Sequence, residues 1–226
     1  MILALQRFFP GVAVAGLIGC AAFGAGPAGV VGTTLVPGEL VVAAISGRLR
    51  LSHAEVAGRP LVVGATLRPG ATLRTDLGST ARCLFADGAI VKMETDSEWR
   101  LDEFSVDPAT PLPDLKTRAP SPALANGPAG AELVISRTKI WLEAGEIEIQ
   151  VPSLDLARGA RFQVETTAGV VSVRGTTFRL RLRPSGESFD ELSILVTEGM
   201  VVFFTKDGKQ VEYVSPNRPF SVKIPR

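Results

Sequence analysis

Carboxylates are the residues of this chain most readily arranged for proton transfer. Asp102-Glu103, Asp190-Glu191 and the pair Glu146 and Glu148 are the candidates. In Gly145-Glu-Ile-Glu-Ile149 the two glutamates stand two residues apart, so on a strand both project from one face. Paired carboxylates of that kind can serve glycoside hydrolysis, one as acid and the other as nucleophile or base. The alternation of Glu146 and Glu148 with Ile147 and Ile149 is equally that of a strand with one wet face, and this is the preferred reading. There is a single histidine, His53, and there are two cysteines, Cys20 and Cys83, too few for a His/Cys zinc site. General-base work by His53 needs an orienting partner, so a surface or packing role is expected for it. No metal-ligand spacing, phosphate-cradling loop or nucleophile motif occurs. The expectation is a chain with no catalytic residue, no metal and no cofactor.

These groups must be held by a scaffold, and the composition describes one. The chain has 226 residues, of which 46% are hydrophobic, enough for a packed core in one domain. Its 24 basic and 23 acidic residues leave a net charge of +1, with the Lys and Arg scattered. Nucleic acid as a partner is therefore not expected.

Residues 1–22 read as an export signal. A short segment with one positive charge, Met1 to Arg7, precedes an apolar run from Phe8 to Phe23, and small residues follow, the pattern of a hydrophobic signal helix. Leu17-Ile-Gly-Cys20 resembles the lipobox of bacterial lipoproteins, which implies Cys20 as the lipid-attachment residue and first residue of the mature protein. Cleavage at the small residues after Phe23, with Cys20 discarded, and an uncleaved signal anchor remain open. Each alternative exports the rest of the chain. Cys83 then has no disulfide partner and is expected as a small buried side chain on a strand.

Beyond a flexible linker at 23–36, a turn glycine followed by an alternating apolar strand recurs as far as Gly208-Lys-Gln-Val-Glu-Tyr213. Such units bury one face each. The spacing predicts an all-β domain over 37–226, a twisted β-solenoid-like stack of short strands with Gly turns. Gly64-Ala-Thr-Leu-Arg68 and Gly70-Ala-Thr-Leu-Arg74 are either successive corners of that coil or a coincidence in a Gly-rich chain. Ser153 to Ala157 allows one helical turn. Trp99 and Trp141 are expected in the core or at its rim. One interruption, 106–131, is rich in Pro, Ala and Ser and has no alternation; it is read as a disordered insertion within the domain, with a partner site as the minor alternative.

The stretch from Val164 to Leu182 packs two tight turns between three alternating strands. Thr167-Ala-Gly169, then Val173-Arg-Gly-Thr176 and Phe178, resemble the signature of FecR-type periplasmic domains, all-β envelope domains known from iron-uptake signalling. Leu73-Arg-Thr75, Asp87-Gly88 and Ser97 resemble the first half of that domain; Leu142-Glu-Ala-Gly145 and Val196-Thr-Glu198-Gly199 resemble its second. Ala168 stands where the family usually has Pro, and Thr177 where a charged residue is frequent. Thr167, Gly169, Val173, Arg174, Gly175, Thr176, Phe178, Glu198 and Gly199 are thus motif residues, structural or recognition. Arg174 is expected to tie turn carbonyls together through its guanidinium.

The resemblance implies a fold and a compartment more than an activity. Sigma-regulating relatives carry a helical cytoplasmic region before the membrane helix and a transducer-binding subdomain after the FecR domain. With seven residues before the apolar run, and an end at Arg226, neither is expected here. The functional expectation is a non-catalytic envelope module that binds an unknown envelope protein. It would lie on the periplasmic side, held to a membrane by a lipid or signal anchor. Alternatives are a glycan-binding module, for which the aromatic supply is thin, and a cleft-less β-solenoid hydrolase.

Overall fold

The computed structural model describes residues 34–53, 56–109, 133–185 and 188–225, all within the compact unit Gly32–Arg226. Seventeen strands follow one another: β1 Val36–Pro37, β2 Leu40–Ser46, β3 Leu49–His53, β4 Val56–Pro60, β5 Thr66–Leu67, β6 Thr72–Thr75, β7 Thr80–Phe85, β8 Ile90–Met93 and β9 Glu98–Val106. After 133 come β10 Ser136–Gln150, β11 Arg161–Glu165, β12 Gly169–Val173, β13 Thr177–Pro184, β14 Phe189–Glu198, β15 Val201–Thr205, β16 Val211–Val214 and β17 Phe220–Pro225. The one helical element among the described residues is a 3-10 turn, Leu156–Arg158, where a single turn was allowed.

Two sheets result. Sheet A runs β4, β3, β6, β9, β10, β11, β12, β15, β16, with β1 beside the end of β9. Sheet B runs β5, β2, β7, β8, β10, β13, β14, β17. The chain passes back and forth between them, in single strands or in hairpins such as β7–β8, β11–β12 and β13–β14, and the all-β class expected from the strand pattern is found. Short strands joined at glycine turns are found as expected, and their neighbours run antiparallel except β10 and β11. The tandem Ala-Thr-Leu-Arg units are successive corners: the first enters sheet B as β5, the second sheet A as β6.

Strand β10 belongs to both sheets. Through Ala144 it pairs with β9, and from Gly145 onward with β13. Gly145 makes the bend, with φ 92°. An added Cβ there would overlap the Ser97 backbone and hydroxyl, so only glycine admits this crossing. The first residue past the bend is Glu146.

Each strand's alternation places one side chain in two between the sheets. Phe85 packs against Trp99, Phe104 and Phe162, with ring centroids 6.4, 5.1 and 6.5 Å away. Phe162 comes from the second half of the chain and the others from the first, so one core serves both. Cys83 is fully buried on β7, as expected, and burial pushes its thiol up to about 12. The signal segment, Cys20 and most of the linker lie outside the described residues, as does 110–132 of the Pro-rich stretch. Its start is described: Val106 still ends β9, and Asp107 is buried and donates its backbone N–H to the Ile135 carbonyl at 2.9 Å. The segment therefore leaves and re-enters the domain at one place. Among the described residues no helix is long and apolar enough to cross a membrane.

Candidate functional site

The motif residues lie at the corners where the chain changes sheet. At the first, between β11 and β12, the hydroxyl of Thr166 closes the turn: Oγ1 accepts from the N–H of Ala168 at 3.1 Å and of Gly169 at 3.3 Å, and lies 3.2 Å from the Gly169 carbonyl. Thr166 is buried, whereas Thr167, the threonine singled out from the motif, is exposed. The tight turn itself hid this distinction, since two adjacent threonines look alike in sequence and only the strand phase separates them. An added Cβ on Gly169 would run into the Phe204 carbonyl of β15. Close backbone approach is thus the reason for glycine there.

At the second corner Gly175 and Thr176 sit between two other turns. Val151 donates its N–H to the Thr176 carbonyl at 2.9 Å, Thr176 Oγ1 donates to the Met200 carbonyl at 3.3 Å, and Gly199 packs on the Gly175 carbonyl. Val173 and Phe178, on either side, fill the core. Glu198 is the last residue of β14 and is exposed. Arg174 does not do what the sequence suggested. Its side chain is exposed, and among the described residues its guanidinium makes no hydrogen bond or ion pair, so the corner is tied by backbone groups and a threonine. The first half of the chain repeats the device: Thr75 Oγ1 donates to the Glu94 carbonyl at 2.6 Å and accepts from the Ser97 N–H at 3.0 Å. Ser97 Oγ in turn accepts from the Glu146 N–H at 2.9 Å.

That last bond leads to the glutamate pair, which the sequence reading put together on a solvated face. Glu148 is on such a face. Glu146 is not: it is 5% exposed. Its carboxylate lies beneath three guanidiniums of β13, with Arg181 Nε donating to Oε2 at 2.6 Å, Arg179 Nη1 3.4 Å from Oε1 and Arg183 Nη2 3.5 Å from Oε2. Arg179 also donates to Glu148 at 3.0 Å, and this bond above all holds its guanidinium's pKa up. Both carboxylates are consequently occupied by cations of the neighbouring strand. An acid that must protonate a leaving group needs to lie open to it, and Glu146 is closed. Asp102 is likewise paired to Arg100. Among the described residues no group of three His, Cys, Asp or Glu is placed to hold a metal.

Two outer surfaces remain. On sheet A the register lines up Trp141, Glu165, Val170, Phe204 and Val211 across five strands, with Ser172, Val202 and Tyr213 in the next row. Phe204, Val211 and Tyr213 are 39%, 43% and 61% exposed. Trp141 lies at the rim, its Nε1 donating to Glu143 at 2.6 Å, while Trp99 is in the core. Strand β16, which carries Val211 and Tyr213, pairs only with β15 among the described residues. Sheet B presents instead the charged ladder of β8, β10 and β13.

Residues 131–202 match the family model described as FecR protein. No curated protein matches the chain. Among the solved structures that resemble it are two of a candidate anti-sigma factor from Parabacteroides distasonis ATCC 8503, at 2.50 and 1.65 Å resolution. Identity is 16% in each case and the TM-scores are 0.45 and 0.44; the alignment covers 69% of this chain and 58% of the other. The stretch 131–202, which holds β10 to β14 and the Arg-Gly-Thr corner among them, is the part of the chain that is similar to FecR proteins.

Proposed function

We propose that this protein is a non-catalytic module of the cell envelope that binds another protein. The observation that carries the proposal is the outer end of sheet A, where Phe204 of β15 and Val211 and Tyr213 of the edge strand β16 lie exposed. An unpaired edge offers a row of backbone donors and acceptors to a partner strand, and adjacent apolar side chains supply the buried area that makes such an addition specific. The guanidinium cover over Glu146 supports the non-catalytic half of the reading. The charged and apolar run of residues 1–23 supports export, with Cys20 as the lipid-attachment residue.

Affinity capture from a membrane fraction with the wild type and with a Phe204→Asp, Tyr213→Asp variant tests the surface. A protein retained by the wild type and lost by a variant of unchanged melting temperature is the expected result; equal retention removes this face from the proposal. Intrinsic fluorescence gives the contrast with a glycan module, because Trp141 stands on the same row as Phe204. It should shift with the captured protein and stay unchanged with envelope oligosaccharides. Labelling with a radioactive fatty acid tests the anchor: incorporation that disappears in Cys20→Ser is expected.

A further inference from the structure

The ladder on sheet B continues into a groove that the corners and the sheet A surface do not use. Across four strands the register reads Glu146, Arg181, Ser193, Ser221, and in the adjacent row Glu148, Arg179, Leu195. Arg179, Arg181, Ser193, Leu195, Pro219, Phe220 and Ser221 are among the residues that line an open cavity of ≈ 370 Å³ between β13, β14 and the start of β17. That volume suits one or two amino-acid side chains.

The chemistry of the lining is specific. A guanidinium has five N–H donors. Arg181 spends its Nε on Glu146, and no hydrogen bond among the described residues uses its two terminal nitrogens. Ser193 and Ser221 stand opposite one another and bring two hydroxyls. Three guanidiniums, Arg179, Arg181 and Arg183, face two carboxylates, Glu146 and Glu148, while Lys223 and Glu191 of the outer row are register partners and balance each other. The groove thus keeps one positive charge in excess. Leu195, 45% exposed, forms an apolar wall. Buried Glu146 acts as a positioning residue: it holds the arginines side by side, so their donors are oriented before anything binds.

We infer that this groove binds an acidic segment of a protein partner, a Glu or Asp carboxylate on Arg181, Ser193 and Ser221 with the neighbouring apolar side chain against Leu195 and Pro219. Planar guanidinium donors match carboxylates in pairs. A peptide is favoured over an acidic sugar because the exposed wall is Leu195 and Pro219, while the one aromatic ring of the lining, Phe220, is half-buried and packed on Phe203 at 5.4 Å, so it offers no open face for a sugar to stack on. The inference rests on the protein-binding reading above and names a second contact for it, on the opposite sheet.

The test uses the full chain against an array of hexapeptides in which glutamates alternate with valine or leucine, each matched by its glutamine version. Glutamate peptides should be retained and glutamine peptides not, with retention falling as salt is raised. Ser221→Glu adds a carboxylate to the groove without removing any ion pair, and should weaken the best peptide by about tenfold or more, as expected for one lost charge-assisted contact. Arg181→Gln should do the same, and Ser221→Ala, which leaves the arginines in place, much less. Equal retention of both peptide series, an unchanged affinity in Ser221→Glu, or displacement by oligogalacturonate or inorganic phosphate but not by free glutamate peptide would overturn the inference. Failure here leaves the wider reading separable: if Ser221→Glu still captures the protein that the Phe204 and Tyr213 variant loses, the module binds protein and the groove takes no part.

Discussion

Arg181 holds the buried carboxylate of Glu146 across the β10–β13 pair, at 2.6 Å, and that contact decides how the glutamate pair behaves. Truncating Glu146 leaves three guanidiniums facing each other at its former place, though each is about half exposed and can turn toward water. Solvent therefore moderates the loss, and Glu146→Ala should destabilise by about 1–3 kcal/mol, the range for hydrogen bonds to charged groups. Glu148→Ala removes a more exposed pair and should cost under about 1 kcal/mol. Urea denaturation of the two variants checks the order; an equal or inverted cost would mean that Glu146 is not held as described.

The corner threonines make a second comparison. Thr166→Val deletes the hydroxyl that serves the Ala168 and Gly169 amides and should cost about 1–2 kcal/mol. Thr167→Val and Arg174→Ala alter exposed side chains that tie nothing together, and should stay within about 0.5 kcal/mol of wild type. Thermal melts of the three read the result directly. An Arg174→Ala variant that melts like wild type yet captures less partner would make Arg174 a recognition residue.

Asp87 provides a pH dependence. Its side chain is buried in the β7–β8 turn, where burial raises its pKa and the bond from the Ala89 N–H offsets this only in part. Below the ordinary aspartate range both folded and unfolded chains carry the proton. As pH rises through that range the unfolded chain releases it first, so the folded state binds more protons and stability falls until the folded group also ionises. Asp87→Asn keeps an oxygen for Ala89 and removes the titration. Denaturant midpoints followed upward from the acid side of the aspartate range should fall less steeply in the variant, and parallel curves would exclude Asp87 as the cause.

The Pro-rich stretch can be removed. Asp107 and Ile135 are hydrogen-bonded at its two ends, so a short Gly-Ser link in place of 110–132 spans a closed gap. The shortened chain should keep its circular dichroism and cooperative melting. A loss of cooperativity would show that the insertion contributes to the domain.

What the sequence determines by itself is the side each residue takes within its own strand, because a pleated strand alternates with period two and a half-buried sheet must place its apolar residues inward. From this came the all-β class, the buried Cys83, the core positions of Val173 and Phe178, and the glycine corners. Within such a pattern Glu146 and Glu148 are indistinguishable, both polar residues on the outward phase. Which strands lie beside them is a long-range choice, made when β10 bends at Gly145 and pairs with β13, 35 residues beyond Glu146 for Arg181. Only then do three arginines cover one glutamate and leave the other half open. Likewise Arg174 looks like a tie in sequence because it stands beside a turn glycine, and the tertiary structure turns it outward, since the neighbouring turns satisfy the corner with their own backbone. Local alternation specifies inside and outside; neighbours across the sheet, and hence charge partners, grooves and free edges, exist only once distant strands have paired.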